Sequence, residues 1–224
     1  MHPVATAEQH AHELAALELL DHPTVRAARE SVAETWLSRA KASDAMRERF
    51  EAAFDEVMFS AAVWSSNQDP LRPKVTTITR LEHEVEGRRV PGTRWGIDNP
   101  DSVYRVIPVS GDERYEIRGR VGEHRMTENY FTLWDADMGT VDVLDGRRML
   151  VEDDGSFLIT VDADPANGRP NHVRSTSAPT SSTSATCCST GAATTPTRSR
   201  SRASADRRRG RRCRSTSRPR RPPG

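Results

Sequence analysis

Cysteine is missing from the first 174 residues of this 224-residue chain; all three, Cys187, Cys188 and Cys213, fall in the last fifty. A disulfide framework for the body is thereby excluded, in keeping with a reducing compartment. Aromatic residues make up 5% and apolar residues 35%, which leaves room for one large domain or two small ones around a lean core. No apolar run approaches the roughly 18 residues needed to span a bilayer. The opening MHPVATAEQHAHELAALELL lacks the basic stretch and apolar core of a secretory leader. These absences predict a soluble, cytoplasmic protein with no membrane partner.

Residues 175–224 lack far more: they contain no Leu, Ile, Val, Met, Phe, Trp, Tyr, Glu, Lys, Asn, Gln or His. They hold twelve Arg against one acid, Asp206, so the net charge of +1 divides into a basic tail and an acidic body with 21 basic and 31 acidic residues. A segment with so little to bury reads as disordered. Its arginines would bind nucleic acid non-specifically, by releasing counterions from phosphate. The composition has a better explanation in the genetic code. Forty-nine of the fifty residues can be written with C or G in the second codon position, which is what a GC-rich gene read out of frame produces. Selection for disorder or for phosphate binding has no reason to exclude Lys, Gln, Glu and Asn. Shifting the frame back by one base turns each Cys codon into Leu, Met or Val and each TCN serine into Phe, Leu, Ile or Val. One codon choice for TSSTSATCCSTGAATTPT restores HEFYIRDVLLDWGGDDPNA, which reads as an amphipathic helix with a Gly-Asp-Asp-Pro stop. A frameshift near Ser175 to Pro179 is the favoured reading. Adjacent Cys187 and Cys188 fit no CxxC metal or redox spacing, so the cysteines are incidental to it.

Within the body, Leu14, Leu17, Leu19 and Leu20 predict a first short helix that stops near Asp21, His22 and Pro23. Thr24, as cap or first-turn residue, opens a second helix with Val25, Ala28, Val32, Trp36 and Leu37 at three- and four-residue spacings. A third opens at Ser43 or Asp44 and aligns Met46, Phe50, Phe54, Val57 and Met58. From Val75 the period changes. VTTITRLEHEVEG alternates as a strand or helix edge would, and VYRVIPV, RYEIRGRVG, NYFTLWD, MGTVDVLDG, RRMLVED and GSFLITVD read as strands separated by turns. Helices followed by an antiparallel sandwich or meander make the class α+β. The clear strands between Val103 and Val161 number five or six, fewer than the roughly seven of a sandwich, so the sandwich is expected to be incomplete.

The densest cluster of polar and aromatic residues is GTRWGIDNPDSVYRV, which brings Trp95, Asp98, Asn99, Asp101, Tyr104 and Arg105 into a loop before a strand. These six are the candidate ligand-binding residues. A structural role competes with that reading, since Asp98, Asn99 and Pro100 make a turn and Asp101 or Ser102 can cap backbone amides. The histidines form no metal set, and there is no GxSxG, P-loop or GxGxxG after a strand. No catalytic residue, metal or cofactor is assigned.

The run GTRWGIDNPDSVYRVIPVSGDERYEIRGRVG resembles a bacterial family of uncharacterised proteins, the domain of unknown function twelve-fourteen. The resemblance rests on Asp98, Asn99, Pro100, Asp101, Tyr104, Arg105, Pro108, Gly111, Tyr115, Ile117 and Gly119, and continues through GSFLITVDADP. It implies a jelly-roll-like β-sandwich, with no reaction or catalytic residue to carry over, and it fails after about Arg174. The expected organisation is a helical region over residues 1–70, a partial β-sandwich over 71–174 and a disordered Arg/Ser/Thr/Pro-rich tail over 175–224. The functional expectation is a small-molecule or glycan-like ligand, bound or acted upon, in a truncated form of the protein. A nucleic-acid-binding arm and a purely structural or interaction module are the alternatives.

Overall fold

The structure is a computed structural model that describes residues 6–93, 102–121, 128–176, 183–190 and 194–195. Three helices come first. α1 spans Ala7–Leu20 and is capped by the Thr6 hydroxyl, which accepts from the Gln9 amide at 3.1 Å. α2 spans Pro23–Arg39; Pro23 sits in its first turn, where a missing N–H is no loss, and the cap is His22, whose Nδ1 accepts from the Thr24 amide. Thr24 is therefore a first-turn residue. α3 spans Asp44–Ser65 and is capped by Ser43, as its sequence predicts.

The faces these helices bury differ from the expected stripes. α3 buries Phe54, Phe59, Ala62 and Val63, while Met46 and Val57 are exposed. α2 buries Ala33 alone and leaves Val32 and Trp36 partly exposed, the Trp36 ring lying against Phe50 and Phe54 of α3. Periodicity located both helices correctly, but it cannot tell how much of an apolar stripe finds a partner.

The strands are β1 Thr76–Thr77, β2 His83–Val85, β3 Arg88–Val90, β4 Ser102–Val109, β5 Tyr115–Val121, β6 Asn129–Trp134, β7 Thr140–Asp145, β8 Ser156–Asp162, β9 His172–Arg174, β10 Thr183–Thr190 and β11 Thr194–Thr195. β2 and β3 form a hairpin whose two turn residues, Glu86 and Gly87, have φ of 51° and 75°. Positive φ at both positions is what a tight turn between twisted strands requires. A five-stranded antiparallel sheet runs β1-β4-β10-β6-β7, and a four-stranded sheet runs β11-β5-β8-β9, with β9 parallel to β8. One apolar cluster draws on both sheets, with Ile107, Val109, Phe131 and Leu133 from the first and Tyr115, Ile117, Phe157, Ile159 and Val161 from the second. A second cluster joins Ala16 of α1 and Phe59, Ala62 and Val63 of α3 to Val85 and Val90 of the hairpin. Helices and strands thus form the α+β arrangement that the sequence predicts.

Two segments depart from expectation. RRMLVED is no strand: Asp145 accepts from the Arg147 amide and starts a single 3₁₀ turn at Gly146–Arg148, after which Met149 is buried and the Leu150 amide donates to the Asn171 side chain. Thr183–Thr190, inside the region read as a disordered tail and as the remnant of a helix, is strand β10. It pairs with β4 at eight positions and with β6 at six, in the centre of its sheet. Thr is a good strand residue, and β4 and β6 would otherwise each carry a row of unmet backbone donors and acceptors.

Candidate ligand site

The site is framed by a buried polar lock. Glu13 of α1 is 1% exposed. Its carboxylate accepts from Arg80 at 2.5 Å, from Gln9 Nε2 at 2.9 Å and pairs with His83 Nε2 at 3.0 Å. Gln9 completes the attachment with its amide: Oε1 accepts from the Thr77 N–H at 2.9 Å and Nε2 donates to the Thr77 carbonyl at 3.1 Å. One helix side chain thereby imitates a strand neighbour of β1. His12, one residue earlier than Glu13, meets the Val63 carbonyl through Nε2 at 3.0 Å and Lys74 Nζ through Nδ1 at 3.4 Å. A carbonyl can only accept and an ammonium can only donate, so the proton of this neutral imidazole lies on Nε2. Burial, with the Lys74 charge adding to it, holds His12 below the ordinary histidine pKa.

With α1 fixed to β1 and β2 in this way, its C-terminal half, the start of α2, the middle of α3 and β3 enclose a cavity of about 530 Å³. Leu17, Leu20, Val25, Met58 and Pro91 give it apolar walls, and Arg26, Arg29, Arg88 and Arg89 line it together with Asp21 and Asp55. The spacing of Arg26 and Arg29 puts both on one face of α2. The Glu86–Gly87 turn delivers Arg88 and Arg89 from the other side.

The four arginines are not equally engaged. Arg29 donates to Glu51 at 2.7 Å and to Asp55 at 2.8 Å, and these carboxylates, Glu51 first, raise its pKa. Arg26 pairs with Asp21 at 2.7 Å and Arg89 with Glu82 at 2.5 Å, both among exposed side chains. Exposed pairs of this kind contribute ~0–1 kcal/mol and re-pair easily. Arg88 has no ion pair among the described residues. Among the described residues the site therefore holds one arginine without an ion pair, two in exposed pairs and a fourth, Arg29, in two ion pairs, beside apolar side chains. Its volume falls in the range of small-molecule pockets.

Of the residues singled out from the sequence, Trp95, Asp98, Asn99 and Asp101 lie outside the described residues. Tyr104 and Arg105 are on β4, where Tyr104 uses its backbone to bind Ile78 and the Thr79 hydroxyl, and Arg105 is 6% exposed. Neither lines the cavity. The signals that would have found it were present: two arginines three apart on a helix, and an Arg-Arg pair directly after a Glu-Gly hairpin turn.

Two other polar groupings are accounted for by structure. Asp162 holds Arg169 with two hydrogen bonds at 2.6 and 3.0 Å, and this contact lowers its pKa. His172 binds the Thr160 hydroxyl and the Asp164 carbonyl, each at 2.9 Å, so the set staples the loop between β8 and β9. Among the described residues no group of three or more His, Cys, Asp or Glu is placed to hold a metal, and no helix is long and apolar enough to cross a membrane.

No family model and no curated protein matches the chain. Among solved structures it is similar to an uncharacterised protein from Burkholderia cenocepacia, at 19% identity and a TM-score of 0.59, over 85% of this chain and 50% of that one. The VPA0106 protein from Vibrio parahaemolyticus is similar at 18% identity and a TM-score of 0.33, over 44% and 28% of the two chains. This chain spans about half the length of the first and less of the second. The Burkholderia likeness carries the α+β fold and nothing about activity.

Proposed function

We propose that the protein binds a small molecule in the cavity between its helices and the β2–β3 hairpin. The observation that carries this reading is the grouping of apolar side chains with four arginines, one of them without an ion pair among the described residues, around a space of about 530 Å³. A glycan is the poorer ligand, because among the described residues no aromatic ring lines this cavity to stack against a sugar. Narrowing the cavity with Met58→Trp abolishes saturable binding of small molecules that bind the unaltered chain. A panel that binds both forms equally overturns the assignment.

The two sheets with their shared cluster are read as a jelly-roll-like sandwich of the domain-of-unknown-function twelve-fourteen type, and the region from about Ser175 as the product of a frameshift. Supporting the frameshift are the second-codon-position rule and the location of β10. Strands are ordinarily enriched in β-branched and aromatic apolar residues, and TSATCCST, at the centre of its sheet, has no Val, Ile, Leu, Phe, Tyr or Trp. The test is the gene itself: if the neighbouring frame beyond codon 175 lacks a long open stretch encoding an apolar-patterned continuation, the frameshift reading fails and an evolved basic arm takes its place.

A further inference from the structure

We infer that the cavity takes an amphipathic monoanion, a carboxylate head on a short unbranched apolar chain. This rests on the reading that the cavity is the ligand site. The head is placed by charge. Arg88 has no acidic partner among the described residues, and Arg89, beside it in sequence, is held by Glu82 across an exposed pair that a competing anion can displace. A guanidinium presents donors in a planar fork that matches carboxylate and phosphate oxygens.

The tail is placed by the floor. Leu17, Leu20, Val25, Met58 and Pro91 supply only carbon and sulfur surface, while Arg29 stays occupied by Glu51 and Asp55. Other ligand classes fit less well. An organic cation would meet four arginines against two lining carboxylates, Asp21 and Asp55; among the described residues a nucleobase would find no aromatic platform, and a bare inorganic anion would leave the apolar side chains uncovered. The acidic residues at the site, Asp21, Asp55, Glu51 and Glu82, are each already paired with an arginine, so they oppose a second negative charge more than the first. That is why a monoanion is preferred to a polyanion.

The experiment uses the full chain with four probes, octanoate, octyl phosphate, octanol and acetate, followed by the Met58 methyl signal in NMR and by calorimetry. Octanoate is expected to bind at least tenfold more tightly than octanol and acetate, and more tightly than octyl phosphate, whose charge near neutral pH is about −1.5 to −2; tighter binding of octyl phosphate would overturn the preference for a monoanion. Arg88→Gln, on an exposed hairpin position, is expected to weaken octanoate binding by roughly 10-fold and leave octanol unchanged. If octanol binds as well as octanoate with the Met58 methyl shifted, or if Arg88→Gln has no effect, the anionic class is wrong and the cavity stands. If no probe moves the Met58 methyl, the cavity itself is not the ligand site.

Discussion

Glu13 shows how a single buried charge organises its neighbourhood. Removing it leaves Arg80, whose side chain is 10% exposed, with an uncompensated charge beside the helix. Loss of one partner of a buried pair costs about 3 kcal/mol or more. Glu13→Ala is accordingly expected to lower the urea midpoint sharply, and a loss within experimental error would show that the lock is solvated. His12 makes the lock sensitive to acid. Its folded pKa lies below the 6.5 of the unfolded chain, so between those values the unfolded chain binds the extra proton. Stability from this residue is complete above pH 6.5 and declines as the pH falls below it. Unfolding at pH 7.5 and 5.5 should show a decrease that His12→Gln reduces; an unchanged decrease would assign it to other groups. Gly119 illustrates a different constraint. A Cβ there would lie 1.8 Å from the Phe157 ring directly opposite on β8, so Gly119→Ala is expected to cost ~1–3 kcal/mol, with Phe157→Leu restoring part of it. Equal losses in the single and double variants would mean that the ring is not the obstacle.

At the scale of elements, the helices and the long strands were legible from period and turn chemistry alone. Ser43 marks a helix start locally, and β5, β6 and most of β8 alternate in burial as expected, whereas β4 is buried without a break from Arg105 to Val109 and β7 shows no alternation. What could not be read is what depends on distant partners. RRMLVED has a strand composition but is diverted by the Asp145 turn and the Asn171 side chain, residues that no window of seven includes together. Burial of α2 depends on a surface that the sequence of α2 does not contain. The cavity had local signals, two arginines three apart on α2 and an Arg-Arg pair on β3, but nothing in either segment shows that they line one space, which depends on α1 being held against β1 and β2 by Glu13 and Gln9. The tail's composition spoke for disorder, yet pairing on both edges made part of it a strand. In β10, Ala185 sits level with Ile107 and Leu133, and Cys187 with Arg105 and Phe131. If the frame is shifted, restoring branched apolar residues with Cys187→Val and Cys188→Leu raises stability by about 1 kcal/mol, whereas Cys187→Ser does not. A thermal midpoint that fails to rise in the first variant counts against the frameshift.

For the molecule as a whole, the two apolar clusters define two packing units, one between the sheets and one between helices and hairpin. Their dependence on β10 is unequal. Ending the chain at Thr176 removes the partner of both β4 and β6 but touches nothing in the helix–hairpin cluster. Such a truncation is expected to bind a hydrophobic dye and lose cooperative sheet unfolding while the helical circular dichroism persists. A single sharp transition in the truncated chain would show that the sheet closes without it.

The position of β10 also bears on how the protein is made. Strands that lie side by side in a sheet are usually close in sequence, but here β4 and β6 are held apart for a strand encoded more than fifty codons after β6 begins. As the chain leaves the ribosome, the helices and the hairpin are complete long before the five-stranded sheet can close. For that interval β4 and β6 are open templates for any extended chain nearby. Those edges stay open until the codons of β10 are translated, and the speed of that translation sets how long they stay so.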